Sequence, residues 1–364
     1  MTVDVAVVGG GVIGFAVAWR CAQRGLSVTV FDHQPAAPEQ RASQVAAGML
    51  GPVSEAYFGE ADLTALLVAS AAQWAGFATE LAPFGDVGYR TDGTLVVALT
   101  ADDHAEAARL WTYQESLGLP MTVLGAAALR EREPALHPRV RGGALAGDYQ
   151  ADPRRLLRAL RAAAAAAGVR VVDRRLSAPE LSELDAATVV VAAGCGSAAL
   201  TGLPVRPVKG QVLRLRAPDG EPGFRHVIRG WADGRRVYLV PRTAGSGGEV
   251  VVGATEEELT DAVPTAGATL ELLRAAVDLV PSVAEHAVAE LCVGHRPGTP
   301  DNAPILGRLS DRLVVATGHY RHGILLAPVT ADTIAELVAT GETPELIAPF
   351  TPARFRAGGD GARS

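Results

Sequence analysis

The sequence predicts an α/β fold in which an open parallel sheet flanked by helices is joined to a second, α+β domain built on an antiparallel sheet. Three observations predict it. The first thirty-two residues run strand, glycine turn, helix, strand. Two further apolar strands, far along the chain, also end in a glycine, at Gly194 and Gly318. Between them lies a long stretch of short strands separated by Gly, Pro and Asp turns, where the strand-helix alternation stops.

Val3 to Val8 is a β-branched apolar run, suited to a parallel strand covered on both faces. Gly9-x-Gly11-x-x-Gly14 follows at once. Its glycines serve a tight turn, close approach of backbone to a pyrophosphate, and close packing of helix on strand. In the next helix Val12, Phe15, Ala16 and Trp19 supply apolar surface, Arg20, Gln23 and Arg24 gather on another side, and Gly25 is the expected C′ residue. The second strand ends in Asp32, eighteen positions after Gly14, where an acid binds ribose hydroxyls. Together these features predict a dinucleotide, FAD or NAD, with a 2′-phosphate disfavoured by the acid at 32.

Composition narrows the class. The chain has 364 residues, 48% apolar and 20% charged, which suits two interlocked domains of a soluble protein. A formal charge of −7 without long runs of either sign argues against nucleic acid as partner. Cys21, Cys195 and Cys292 form no Cys-x-x-Cys pair, so neither a disulfide framework nor a zinc site is expected. No His and acid spacing points to a metal. The longest apolar stretch, 162 to 167, is far shorter than the ~20 residues that span a bilayer, and a cytoplasmic, non-membrane protein is expected.

Beyond Asp32, a loop with Pro35 and Pro38 leads to the small-residue segment 41–50, which suits either close approach to a ligand or a helix start packed on the sheet. Helical spacing covers 62–82 and 101–117, the second with Thr100 as N-cap. Tyr89 to Leu99 alternates around Asp92-Gly93 and predicts a strand pair or bulged strand. A helix from Pro153 ends at Gly168, and strands follow at 169–172 and 188–193. Strands at 212–215, 237–240 and 250–252, a Gly245 to Gly248 tip, a helix over 268–279, a strand over 312–316 and an apolar helix over 324–338 complete the chain. This order predicts a discontinuous nucleotide-binding domain (1–82, 151–203 and 304–357), a second domain (83–150 and 204–303) and a frayed tail, 358–364. A cofactor clasped by the start, middle and end of one chain favours a flavin over a nicotinamide.

Four segments carry a resemblance: Gly9 to Gly14; Ala46 to Ala56; Gly294-His295-Arg296-Pro297-Gly298-Thr299 through Gly307; and Gly318-His319-Tyr320-Arg321-His322-Gly323 through Pro328. On these the chain resembles the D-amino-acid oxidase and sarcosine oxidase superfamily, and within it the glycine oxidases of the thiamine-thiazole pathway. The resemblance implies noncovalent FAD on a Rossmann-like domain, an antiparallel substrate sheet above the flavin, and oxidation of an amine alpha to a carboxylate. Carried across, Gly9, Gly11, Val12, Ile13 and Gly14 lie at the pyrophosphate and Asp32 with His33 at the adenosine ribose. Ala42, Ser43, Ala47, Gly48 and Met49 follow the ribityl and ring side, and the run His319, Tyr320, Arg321, His322, Gly323, Ile324 and Leu325 closes over the ring, with the strand-end glycines Gly194 and Gly318 also at the cofactor. Arg296 binds the substrate carboxylate and Arg321 faces the substrate. The 169–188 segment is shorter than the meander relatives place beside the adenine, where Leu176 is the expected contact. Gly294 stands where relatives with covalent flavin carry cysteine.

The residues themselves leave some roles open. A guanidinium in a partly dry pocket pairs with a carboxylate through two parallel hydrogen bonds, which suits Arg296 beside its Pro297-Gly298 turn. Tyr238 is either core or a hydroxyl donor to that carboxylate; Met49 either roofs the flavin or fills a gap; Arg236 reads as a solvated charge. For His319 and His322 the glycine-flanked loop favours backbone N–H contacts over a base. The reaction implied is hydride transfer from substrate Cα to flavin N5, then imine hydrolysis and reoxidation by O₂. Sarcosine, a D-amino acid or proline are alternative substrates, and a flavin-binding interaction subunit or RNA-modification module is the alternative of another class. The resemblance further implies a homo-oligomer, often a tetramer, and a link to thiazole-synthesis proteins.

Overall fold

The computed structural model describes residues 3–33, 41–221, 223–242 and 248–355. Its first sheet has six strands in the order Ile305–Arg308, Leu313–Thr317, Ala186–Val191, Val3–Val8, Val28–Phe31 and Arg170–Val172. All neighbours are parallel except the pair formed by Ile305–Arg308 and Leu313–Thr317. The period of two along Val3–Val8 divides its side chains between two cores. Val5 and Val7 pack with the helices Val12–Gln23, Ala61–Leu81, Pro153–Ala166 and Ala327–Thr340, while Ala6 and Val8 pack with Leu181, Leu203 and Val315 on the other face. Burial on both faces is why the strand reads as a continuous apolar run.

The second sheet has eight strands in the order Ala287–Gly298, Arg206–Arg216, Glu249–Gly253, Arg235–Pro241, Val227–Ala232, Thr94–Ala98, Gly142–Ala146 and Met121–Gly125. It is antiparallel apart from the pair of Val227–Ala232 with Thr94–Ala98. One face packs Leu213, Ile228, Leu239 and Val252 against the helix Ala266–Leu279. On the other face Val212, Val240 and Val251 meet Val45 and Ala47, which lie on and just after the short helix Ala42–Val45. The small-residue segment therefore joins the two sheets. Met49–Leu50 pairs with Tyr149–Gln150 in a small separate ladder.

Two expectations are corrected. Tyr89 to Leu99 is not a hairpin: Arg90 bridges to Gln150, and only Thr94–Ala98 is a strand, buried along its whole length. Its partners come from far along the chain, so Asp92-Gly93 turns the chain into the sheet without closing a local pair. The last helix begins at Ala327 and not at Ile324, because Pro328 occupies its first turn and the Leu325 carbonyl accepts from Ser70 Oγ (2.6 Å) and Trp74 Nε1 (2.9 Å). Residues 245–247 of the expected glycine tip, and the 358–364 tail, lie outside the described residues. Among the described residues no helix is long and apolar enough to cross a membrane.

Candidate active site

A cavity of 1230 Å³ runs between the two sheets, larger than the ~300–1,000 Å³ of a drug-sized ligand pocket. Its first wall is the glycine turn. Gly10 N–H donates to Asp32 Oδ1 (2.9 Å) and Val12 N–H to Ser43 Oγ (3.2 Å), so the turn is braced from the second strand and from the small-residue segment. A Cβ on Gly10 would stand 2.5 Å from the Asp32 carboxyl carbon, and one on Gly14 would stand 1.8 Å from the Gly9 carbonyl oxygen. The turn is thus closed to side chains and open to a phosphate at a helix N-terminus, the arrangement a dinucleotide needs. Asp32 also takes Arg41 Nη1 (2.9 Å), with Arg161 Nη2 at 3.7 Å.

The second wall is the eight-stranded sheet. Gly253, Tyr238 and Arg229 stand abreast on three adjacent strands, a register that brings cross-strand side chains within about 5 Å of one another. Tyr238 lies over Gly253, where a Cβ would fall 2.4 Å from its hydroxyl. Burial pushes the Tyr238 phenol above its usual range, against the pull of Arg296, Arg242 and Arg229, so it remains a hydroxyl. The Arg296 guanidinium lies over Gly210 in the same way and donates through Nη1 to the Thr255 carbonyl (3.0 Å). Among the described residues its hydrogen-bond partners are backbone carbonyls.

Beside this pair sits a carboxylate the sequence did not single out. Glu55 is ion-paired with Arg229 and lies 3.5 Å from Arg321 Nε, with its side chain 9% exposed. Burial raises its pKa, but the two guanidiniums outweigh burial and hold the carboxyl well below the usual range. The Tyr320 hydroxyl donates to Glu256, and burial with that carboxylate pushes the phenol up to about 12. His319 shares a hydrogen bond with Thr330 Oγ1 (3.1 Å), and burial lowers its pKa to about 3. Burial likewise lowers His322 to about 4, so both imidazoles are neutral at pH 7.

Of the residues the sequence marked, Gly9, Gly11, Val12, Ile13, Asp32, His33, Ala42, Ser43, Ala47, Gly48, Met49, Leu176 and Gly194 line the cavity. Tyr238, Arg296 and the run from His319 to Ile324 line it as well, as does Arg236. Leu325 does not: its side chain is 1% exposed within the hydrophobic core and its carbonyl is held by Ser70 and Trp74. Gly14 and Gly318 stand behind the wall, Gly318 at φ +71° against Thr299. Glu55, Arg229, Glu256, Arg41 and Arg161 were missed. Arg229 had a spacing signal, since Asp233-Gly234 closes a hairpin that sets 229 opposite 238, and Glu55 lay within the Ala46 to Ala56 segment without a role of its own. Among the described residues no group of His, Cys, Asp and Glu could hold a metal ion.

The geometry has counterparts among known proteins. The model of the FAD-dependent oxidoreductase family matches residues 4–337. The chain is 34% identical to the bifunctional protein ThiO/ThiG of Synechocystis, over 97% of this chain and 54% of that protein, so it spans about half of that relative. It is 34% identical to the glycine oxidase of Geobacillus kaustophilus over 96% of this chain and 97% of that one. The crystal structure of a glycine oxidase from Geobacillus kaustophilus superposes with a TM-score of 0.87, covering 97% of this chain and 98% of the other. With a match over most of its length and a turn that fits the cofactor, the chain belongs to the FAD-dependent oxidoreductase family.

Proposed function

We propose that this chain is a glycine oxidase, converting glycine, O₂ and water to glyoxylate, ammonia and hydrogen peroxide. The observation that carries the proposal is Arg296, a cavity-lining guanidinium whose partners among the described residues are carbonyls and no carboxylate. Such a cation is poised to take a substrate carboxylate through two parallel hydrogen bonds. The neighbouring Tyr238 hydroxyl is the second donor. The near full-length similarity to a glycine oxidase supports the substrate.

Gly9, Gly11, Val12 and Ile13 would hold the FAD pyrophosphate, with Ser43 bracing their turn on the way to the ribityl side, Asp32 and His33 the ribose, and Leu176 the adenine. Ala42, Ala47, Gly48, Met49 and the loop from His319 to Ile324 would hold the ribityl and ring portions. Bound FAD supplies the acceptor for the hydride from substrate Cα and passes the electrons to O₂. The chain's own residues orient and desolvate. Arg296 and Tyr238 fix the carboxylate, and His319 and His322, held neutral by burial, add no charge to the site. The segments 1–82, 151–203 and 304–357 form the flavin domain in this proposal, and 83–150 with 204–303 the substrate domain. A cytoplasmic homo-oligomer supplying the glycine imine to thiazole-forming proteins completes it.

The test is the absorption spectrum of the purified protein before and after anaerobic glycine. Bleaching of the flavin band, with FAD released intact on denaturation, supports the proposal. A flavin band that glycine leaves unchanged while sarcosine, a D-amino acid or proline bleaches it moves the substrate. Bound flavin without reduction by any of these revives the interaction-subunit alternative.

A further inference from the structure

We infer that Glu55 is a specificity-determining residue that restricts the substrate chamber to amino acids carrying one carboxylate; this rests on the assignment of Arg296 as carboxylate anchor. Of the guanidiniums that line the cavity, those of Arg229, Arg296 and Arg321 gather around Tyr238 and Glu55, while Arg236 pairs with Glu106. Two of them share one carboxylate: Glu55 bonds Arg229 and lies 3.5 Å from Arg321 Nε. The third, Arg296, meets carbonyls. The chamber therefore presents one cation without a carboxylate partner and two that share a single carboxylate, which cancels one of their two charges.

The pair around Glu55 is reachable. The side chains of Arg229 and Arg321 are 25% and 31% exposed, against 9% for Glu55 between them. Arg229 stands directly opposite Tyr238 on the neighbouring strand, and Tyr238 feels Arg296, Arg229 and Glu55 together. A second acid group on a substrate held by Arg296 would meet these side chains. With Glu55 in place it meets two guanidiniums that already share a carboxylate, bonded to Arg229 and ion-paired with Arg321, and the like charge of that carboxylate repels it. The other anions around Arg321 act less strongly than Glu55, and of these Glu256 is engaged by the Tyr320 hydroxyl. Glu55 stays ionised throughout the neutral range, so the exclusion is permanent and not switched by pH.

Replacing Glu55 by Gln keeps the side chain's size and one acceptor oxygen while freeing both guanidiniums. The FAD-loaded full-length protein is titrated with acetate and with malonate, following the perturbation of the flavin spectrum and, independently, the ligand-induced rise in Tm. In wild type, acetate binds at least as tightly as malonate. In Glu55→Gln, malonate tightens by about ten-fold or more, the smallest gain expected of a new charge-assisted contact, while acetate changes by less than about three-fold. Glu55→Asp, which keeps the charge, shows no such gain. Equal tightening of both ligands, gain in Glu55→Asp, or no change in Glu55→Gln overturns the inference. Should Glu55→Gln not fold, Arg229→Gln supplies the converse: the chamber loses a cation, acetate weakens by about three-fold or more, and unchanged acetate affinity overturns the inference. Acetate that fails to bind wild type removes Arg296 as anchor and this inference with it. Acetate binding without reduction by glycine refutes the proposed substrate alone and leaves the malonate comparison decisive.

Discussion

Gly210→Ala is the substitution that separates the site from the fold. Gly210 lies opposite Gly294 in the long pair of Arg206–Arg216 with Ala287–Gly298. A Cβ there would stand 2.5, 2.7 and 2.8 Å from Nη1, Nη2 and Cζ of Arg296. Non-bonded carbons settle at about 3.5–4.0 Å, so the guanidinium must withdraw by roughly 1 Å. That motion breaks the 3.0 Å bond from Nη1 to the Thr255 carbonyl, the contact that aims the side chain. The displaced group is the far end of a flexible side chain, and alanine in a strand interior is more favourable than glycine by about 0.5–1 kcal/mol, so the fold should hold. A displacement of about 1 Å at a binding group costs on the order of 100-fold in rate. The expected outcome is a rise in the KM for glycine of about 10- to 100-fold, with flavin content and Tm unchanged within a few degrees. Anaerobic stopped-flow reduction at varied glycine, beside a thermal melt, measures both. An unchanged KM in a folded, yellow variant would falsify the placement of the substrate carboxylate on Arg296.

Arg296→Ala removes the charge-assisted contact outright, about 1.5–3 kcal/mol, and should raise KM by about 10- to 150-fold; steady-state peroxide production checks it, and a wild-type KM would refute it. Gly14→Ala puts a Cβ 1.8 Å from the Gly9 carbonyl oxygen, a backbone atom that cannot step aside. Loss of bound flavin with a lowered Tm is expected, and a full complement of FAD in that variant would contradict the turn geometry. Folded His319 and His322 resist protonation until about pH 3 and 4, whereas their unfolded forms take protons below about 6.5. The unfolded state then binds more protons, so stability should fall as pH drops from 6.5 toward 4, and His322→Asn should flatten that fall in pH-dependent denaturant melts. Finally, kcat/KM for glycine should rise with pH up to the ionisation of the substrate ammonium, and an amino acid with a more acidic ammonium should shift the profile down by its own difference in pKa. A profile indifferent to the substrate would point to a protein base.

The glycine turn was legible because everything it needs is local. Strand, turn, helix and acid lie within Val3 to Asp32, and their spacings alone state what they bind. Arg296 was legible only through the block around it. The pairing of Glu55 was not legible although its segment was, since its partner Arg229 is 174 residues away and Arg321 farther still, and no periodicity reports which strands will be neighbours. The same blindness produced the expected hairpin at Tyr89 to Leu99. Residues 94–98 have the composition of a strand, but their partners at 142–146 and 227–232 are set by the sheet and not by the turn beside them. The misplaced helix start at Ile324 has a similar origin: the apolar run Ile324 to Leu326 is buried, yet its Leu325 carbonyl is satisfied from the helix Ala61–Leu81 across the core.

The two walls of the cavity answer different physical needs. On the six-stranded side, the parallel strands deliver backbone donors at their carboxyl ends, and side chains are cleared from the turn, because a phosphate is best met by N–H groups. On the eight-stranded side the need is a side-chain cation aimed at one point. Antiparallel pairing meets it by alternating a bearer with a gap: Tyr238 beside Gly253, and the Arg296 guanidinium over Gly210. The gaps let large polar groups lie flat on the sheet, so their ends, and not their stems, line the chamber. Around the cavity, burial keeps His319 and His322 neutral and Tyr238 and Tyr320 protonated, and Glu55 is paired with two arginines, so these side chains bind, orient and exclude water. An enzyme whose cofactor takes the hydride needs a site of that kind, because the protein's share of the work is to position and desolvate the substrate.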